Sequence, residues 1–267
     1  MKFQKTSTVE TIEEKEWNDI NTDTSDRQDF PPWSMRVLFL WLVGFLVLSG
    51  IIAVFFAYVV LYLSIYHGVN LNPAEHIFSV TVPSHVVYKG LALYFIFIQI
   101  GKTPFCLKDI GLSLEIQPRH LGFGLLIGIV LMSLQLLIHK AIYGQATLPP
   151  QYPIRFDWHL TFGLELLAFV LITGIAEEVI FRGLIYQALR KRFTLEKAMI
   201  FSTMIFALFH LDFLLNPFAM TYVVFFGLIA AFLFERTRSV NICIFLHIAS
   251  NLTELLVRYG TPFFQLP

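Results

Sequence analysis

Polar and apolar residues in this chain are sorted into long blocks, not alternated along short segments. From Val37 onward seven stretches are almost wholly apolar: about 37–65, 84–101, 121–139, 160–189, 197–213, 218–235 and 240–258. A helix needs about 20 apolar residues to cross the hydrocarbon layer, so each stretch predicts one membrane-spanning helix. The second is the weakest, because Ser84, His85 and Lys89 stand near its start. Pro217 separates the fifth block from the sixth, since proline can open a helix but not continue one. The pattern predicts an all-α fold, a polytopic membrane helix bundle of about seven transmembrane helices.

Composition narrows the class. Of 267 residues 56% are hydrophobic and 14% charged, where soluble domains carry about a quarter charged. The 28 phenylalanines are read as lipid-facing or packing surface. Residues 1–32 differ from the rest: they hold eight of the nineteen carboxylates among Ser, Thr, Asn and Gln. Such a composition cannot bury enough apolar surface to order itself, and it has neither the apolar core nor the cleavage site of a signal peptide. The chain therefore divides into a flexible acidic cytosolic tail (1–35), three amino-terminal spans (36–158) and a core of four spans (159–267).

Loop charge sets the orientation. With the amino terminus inside, the cytosolic side carries Arg36, Lys102, Lys108, Arg119, Arg190, Lys191, Arg192, Lys197, Arg236 and Arg238, and the other side only Lys140, Arg155 and Arg258. That asymmetry is the positive-inside pattern. No basic cluster with interleaved aromatics points to nucleic acid. Cys106 falls in a cytosolic loop and Cys243 inside a span, so neither a disulfide nor a redox role is expected.

The candidate chemistry is concentrated in 173–193, TGIAEEVIFRGLIYQALRKRF, which sets Glu177, Glu178 and Arg182 within an apolar run. An ionisable side chain at bilayer depth costs at least about 2.5–3.5 kcal/mol on insertion scales, so each needs a partner or a task. Glu178 and Arg182 are spaced i,i+4 and can form a structural ion pair. Glu177 lies about 100° around the helix and must find its partner on another helix. The fifth block offers Phe206 and His210 on one face, and the seventh offers His247 and Asn251, again i,i+4. A single membrane histidine is more often a packed, hydrogen-bonded group than a catalyst. Depth groups these residues nonetheless: at 1.5 Å per residue, Glu177, His210 and Asn251 all lie about 20 Å from the nearest cytosolic cation, and His247 about 14 Å. Elsewhere, Glu254 and Arg258 form an i,i+4 pair, Glu165 has no evident partner, and Asp212 is close enough to orient His210. His85, His139 and His159 fall at span ends, where imidazole is ordinary.

Glu177-Glu178-x-x-x-Arg182, Phe206-x-x-x-His210 and His247-x-x-x-Asn251 resemble the three signature motifs of the CPBP family. These are the CAAX-processing and bacteriocin-processing, or Abi-type, intramembrane peptidases. Any one motif is weak, but three in order on separate spans are specific. The likeness covers roughly Leu160 to Tyr259 and leaves the first 150 residues and the tail unexplained. It implies an integral, multi-pass endopeptidase, placed in the plasma membrane of a prokaryote, acting on a membrane protein or on a lipidated or leader peptide. Amide hydrolysis needs an activated water, a proton for the leaving amine and a stabilised oxyanion. The resemblance assigns water activation to Glu177 and His210 and the oxyanion to His247 and Asn251, with Glu178, Arg182 and Phe206 in support. No cofactor is favoured, because the His-Glu-x-x-His signature is absent. Zinc held by Glu177, His210 and His247 with an open fourth position remains the alternative. A non-proteolytic scaffold using the tail as a docking arm, or a proton-coupled transporter, would also bury such groups.

Overall fold

In the computed structural model, which describes residues 31–144, 157–210 and 216–263, seven helical runs and no strand occur among the described residues. They are α1 (Met35–His67), α2 (Pro73–Gly101), α3 (Pro118–Tyr143), α4 (158–190), α5 (Leu195–Leu208), α6 (Pro217–Thr237) and α7 (Val240–Phe263). Five of them, α1, α2, α3, α6 and α7, are long and apolar enough to cross a membrane. The large apolar side chains that α1 leaves uncovered, among them Phe39, Ile51, Val54 and Phe55, suit a lipid contact, where no water opposes them.

Three elements differ from the sequence-based expectation. The second helix begins eleven positions earlier than expected, at Pro73. Asn72 accepts from the Glu75 N–H at 3.0 Å while the Glu75 carboxylate accepts from the Asn72 N–H at 2.9 Å, and proline fits the first helical position. That capping box outweighs the polar residues that follow, and it places Ser84, His85 and Lys89 in the middle of the helix. The fifth helix is shorter than expected: its 14 residues span about 21 Å, short of the roughly 30 Å hydrocarbon layer. It ends in a tight turn, Phe209 N–H to Phe206 O at 3.1 Å and His210 N–H to Ala207 O at 3.0 Å. The fourth run is helical throughout but widens into π-helix over Leu166–Ile172 and Val179–Tyr186, on either side of Thr173–Glu178. Residues 1–30 of the expected acidic tail, and Asp212, lie outside the described residues, and Met35, the last position assigned to the tail, opens α1.

The core sits where α4, α6 and α7 meet, around Val179, Tyr186, Ala230, Phe234, Cys243 and Leu246. Close approach of α3 to α7 depends on Gly124 and Gly128, spaced i,i+4. A Cβ on Gly124 would stand 2.6 Å from Ile242 O and one on Gly128 2.8 Å from Ala249 Cβ. This is the small-residue spacing that brings membrane helices together. The α2–α3 loop is tied to the start of α7 by paired bonds, Ser113 N–H to Asn241 Oδ1 at 3.0 Å and Asn241 Nδ2 to Ser113 O at 2.7 Å. Gly111, at φ +80°, lets its carbonyl accept from Val240 N–H at 2.8 Å.

The α3–α7 contact predicts that Gly128→Val, which drives a branched side chain into the α7 backbone, removes the monodisperse species from detergent extracts. A substitution at Gly122, where a Cβ meets nothing within 4 Å, leaves it intact. Size-exclusion chromatography of the two variants checks this.

Candidate active site

Adjacent positions on one helix point to different neighbours, and α4 uses that to send its two carboxylates in opposite directions. Glu178 is fully enclosed: its Oε1 accepts from Arg182 Nη1 at 3.0 Å and lies 2.8 Å from His247 Nδ1. Arg182 also donates from Nη2 to Gly227 O of α6 at 3.2 Å and stacks on Phe206, 4.6 Å from the ring centroid. The expected i,i+4 pair is therefore one edge of a cluster that joins α4, α5, α6 and α7. A carboxylate only accepts, so His247 Nδ1 carries the proton and Nε2 is turned away from Glu178.

What Nε2 faces is Glu177. Its Oε2 lies 3.9 Å from His247 Nε2 and 3.7 Å from His210 Nε2, too long for direct hydrogen bonds. Oε2 is buried with no hydrogen-bond partner among the described residues, although 13% of the Glu177 side chain is accessible against none of Glu178. His210 is held by Phe206, whose carbonyl lies 2.9 Å from Nδ1. A carbonyl also only accepts, so Nδ1 carries a proton and Nε2 is the nitrogen turned toward Glu177. The Phe206-x-x-x-His210 spacing thus has two uses, a carbonyl one turn back that sets the tautomer and a ring that carries the Arg182 guanidinium.

Glu177, His210 and His247 are brought together. Asn251 is on the same face of α7, but its Nδ2 donates to Phe169 O at 2.7 Å, a carbonyl of the first π-helical segment. That segment also turns Thr173 inward, where its hydroxyl donates to Ala168 O at 2.8 Å, five residues back. At the other end of the bundle Glu165, unpartnered in the sequence reading, pairs with Arg258 at 3.1 Å, and Arg258 also meets Glu254 at 2.8 Å.

One residue at this site was misjudged from the sequence. Lys89 of α2 donates to Glu177 Oε1 at 2.7 Å and to Thr173 Oγ1 at 2.8 Å. It is the cross-helix partner Glu177 required, yet its charge counted against the span that carries it. The informative signal was the coincidence of a partnerless buried carboxylate and an unpaired lysine in an apolar block. His85 likewise is not at a span end; its ring lies 4.8 Å from that of Phe169, tilted by 60°, one turn from Lys89.

Residues 159–253 match the family model described as Type II CAAX prenyl endopeptidase Rce1-like. No curated protein and no solved structure matches the chain. The matched segment holds α4 to α7 up to Thr253, with every motif residue, while α1 to α3 fall outside it.

Breaking a buried pair from one side leaves the other charge uncompensated and costs roughly 3–5 kcal/mol. Arg182→Met therefore lowers the unfolding midpoint in detergent, and the double variant Glu178→Gln/Arg182→Met recovers much of the loss.

Proposed function

Given that residues 159–253 form a domain of the CAAX-protease family within an integral, multi-pass membrane protein, we propose that the chain is an intramembrane endopeptidase in which Glu177 and His210 activate water. The observation that carries this reading is the convergence of two acceptors, Glu177 Oε2 and His210 Nε2, at 3.7 Å. A separation just beyond hydrogen-bond length between two polar atoms suits a bridging water. Such a water donates to both and turns its lone pair toward a scissile carbonyl.

In the step we propose, the water's proton passes to Glu177 Oε2 as its oxygen bonds to the carbonyl carbon, and the carbonyl π electrons move onto oxygen. The proposal assigns that oxyanion to the Nε2 edge of His247, whose Nδ1–H stays on Glu178. Asn251 has a second amide N–H beyond the one given to Phe169, and the proposal assigns it to the same oxygen. Collapse breaks the C–N bond, and the proton on Glu177 goes to the leaving amine, restoring the carboxylate. Glu178 and Arg182 act by fixing His247 and Phe206. The amino terminus is placed on the cytosolic side by the loop charges.

Zinc at Glu177, His210 and His247 is disfavoured by the donor set. The carboxylate already bears an ammonium at 2.7 Å, so a divalent ion on its other oxygen would face a like charge across one carboxyl group.

The test uses the full chain in detergent with two internally quenched peptides, one ending in a farnesylated CAAX box and one unprenylated. Glu177→Gln and His210→Ala each reduce kcat by at least about 10²-fold, the usual scale of a general base, while membrane insertion is unchanged. If both variants cleave as wild type does, the scaffold reading replaces the peptidase. Phenanthroline leaves wild-type turnover intact, whereas a zinc enzyme loses it.

A further inference from the structure

Lys89 lies outside the motif-bearing helices, yet its ammonium touches the carboxylate on which the reaction is proposed to turn. Resting on that hydrolase reading, we propose that Lys89 is a positioning residue. Its ammonium clamps Oε1 of Glu177, so that Oε2 is the one oxygen presented to His210, His247 and the attacking water.

Lys89 Nζ makes two short bonds, to Glu177 Oε1 at 2.7 Å and to Thr173 Oγ1 at 2.8 Å. Thr173 is itself fixed, donating to Ala168 O at 2.8 Å. The ammonium is therefore placed by the irregular backbone of α4, independently of Glu177, and can hold the carboxylate to one rotamer. The two oxygens then become inequivalent: Oε1 is bonded, while Oε2 is buried, without a hydrogen bond, and within 3.9 Å of both imidazole Nε2 atoms. A carboxylate free to turn about its terminal bond would swing its plane away from the rings, and the bond to Lys89 holds it with one oxygen toward both. The other charged groups near Glu177 cannot substitute, because Arg182 is committed to Glu178 and Gly227 O.

A merely structural ion pair would tie α2 to α4, and its loss would move stability and leave kcat. The experiment is steady-state kinetics on the full chain in detergent, with whichever of the two quenched peptides the wild type turns over. Lys89→Met is expected to lower kcat on the order of 100-fold, the cost of a misplaced catalytic group, with KM within about two-fold, since uniform binding is untouched. Lys89→Arg, which keeps the charge, retains about ten times the kcat of Lys89→Met. Thr173→Val, which keeps the lysine and removes one of its anchors, loses about ten-fold in kcat at unchanged KM, and it carries the test should Lys89→Met fail to fold. The proposal is overturned if Lys89→Met keeps kcat within about three-fold of wild type, if Lys89→Arg and Lys89→Met are equally impaired, or if Thr173→Val turns over normally. Cleavage lost in Glu177→Gln but kept in Lys89→Met removes the lysine's role alone; a wild type that cleaves neither peptide removes the hydrolase reading with it.

Discussion

Two carboxylates at adjacent positions of an apolar bundle are the constraint to which the other helices answer. Charge is poorly tolerated in a low-dielectric interior unless it is paired and hydrogen-bonded, and adjacent residues on a helix point about 100° apart, so each here takes its own cation. Glu178 therefore draws Arg182, His247 and, through Arg182, the Gly227 carbonyl and the Phe206 ring. Glu177 draws Lys89 from α2 and stands before the two imidazoles. Five of the seven helices thus supply a group to one polar centre. Glycines on the sixth, α3, bring it against the α7 backbone that carries His247.

The two carboxylates are not equivalent in what they can do. Glu178 has no accessible surface and spends an oxygen on two cationic or donor groups, so it behaves as a strut. Each keeps one oxygen without a hydrogen bond among the described residues, but only that of Glu177 stands at a partly open edge, before the two imidazoles. The π-helical segments that flank them contribute to this division. The wider turn rearranges the ladder: Ala168 O takes both the N–H and the hydroxyl of Thr173, and Phe169 O takes the Asn251 amide. The irregular stretch of α4 thereby links the carboxylate motif to the Asn251 end of α7 through backbone atoms.

Much of this was legible in the residues. Block hydropathy located the helices, and the three spaced motifs identified the groups that converge, because depth and helical face are set by counting. What counting missed depends on local chemistry or on pairing between distant positions. The cap formed by Asn72, Pro73 and Glu75 was present in the sequence and would have lengthened α2. The Gly124–Gly128 spacing would have placed α3 on α7. Lys89 was judged by its cost to a span when its significance lay in Glu177, 88 positions away. The π-helical widening left no composition signal, since Leu166–Ile172 reads as ordinary apolar helix.

The early end of α5 joins two needs that are usually met separately. The last carbonyls of a helix have no partner within it, and in lipid such groups must be satisfied by protein or by water. Where α5 stops, its Phe206 and Ala207 carbonyls take the Phe209 and His210 N–H groups and the His210 ring, so the terminus that must be satisfied is also the socket that holds an imidazole before Glu177.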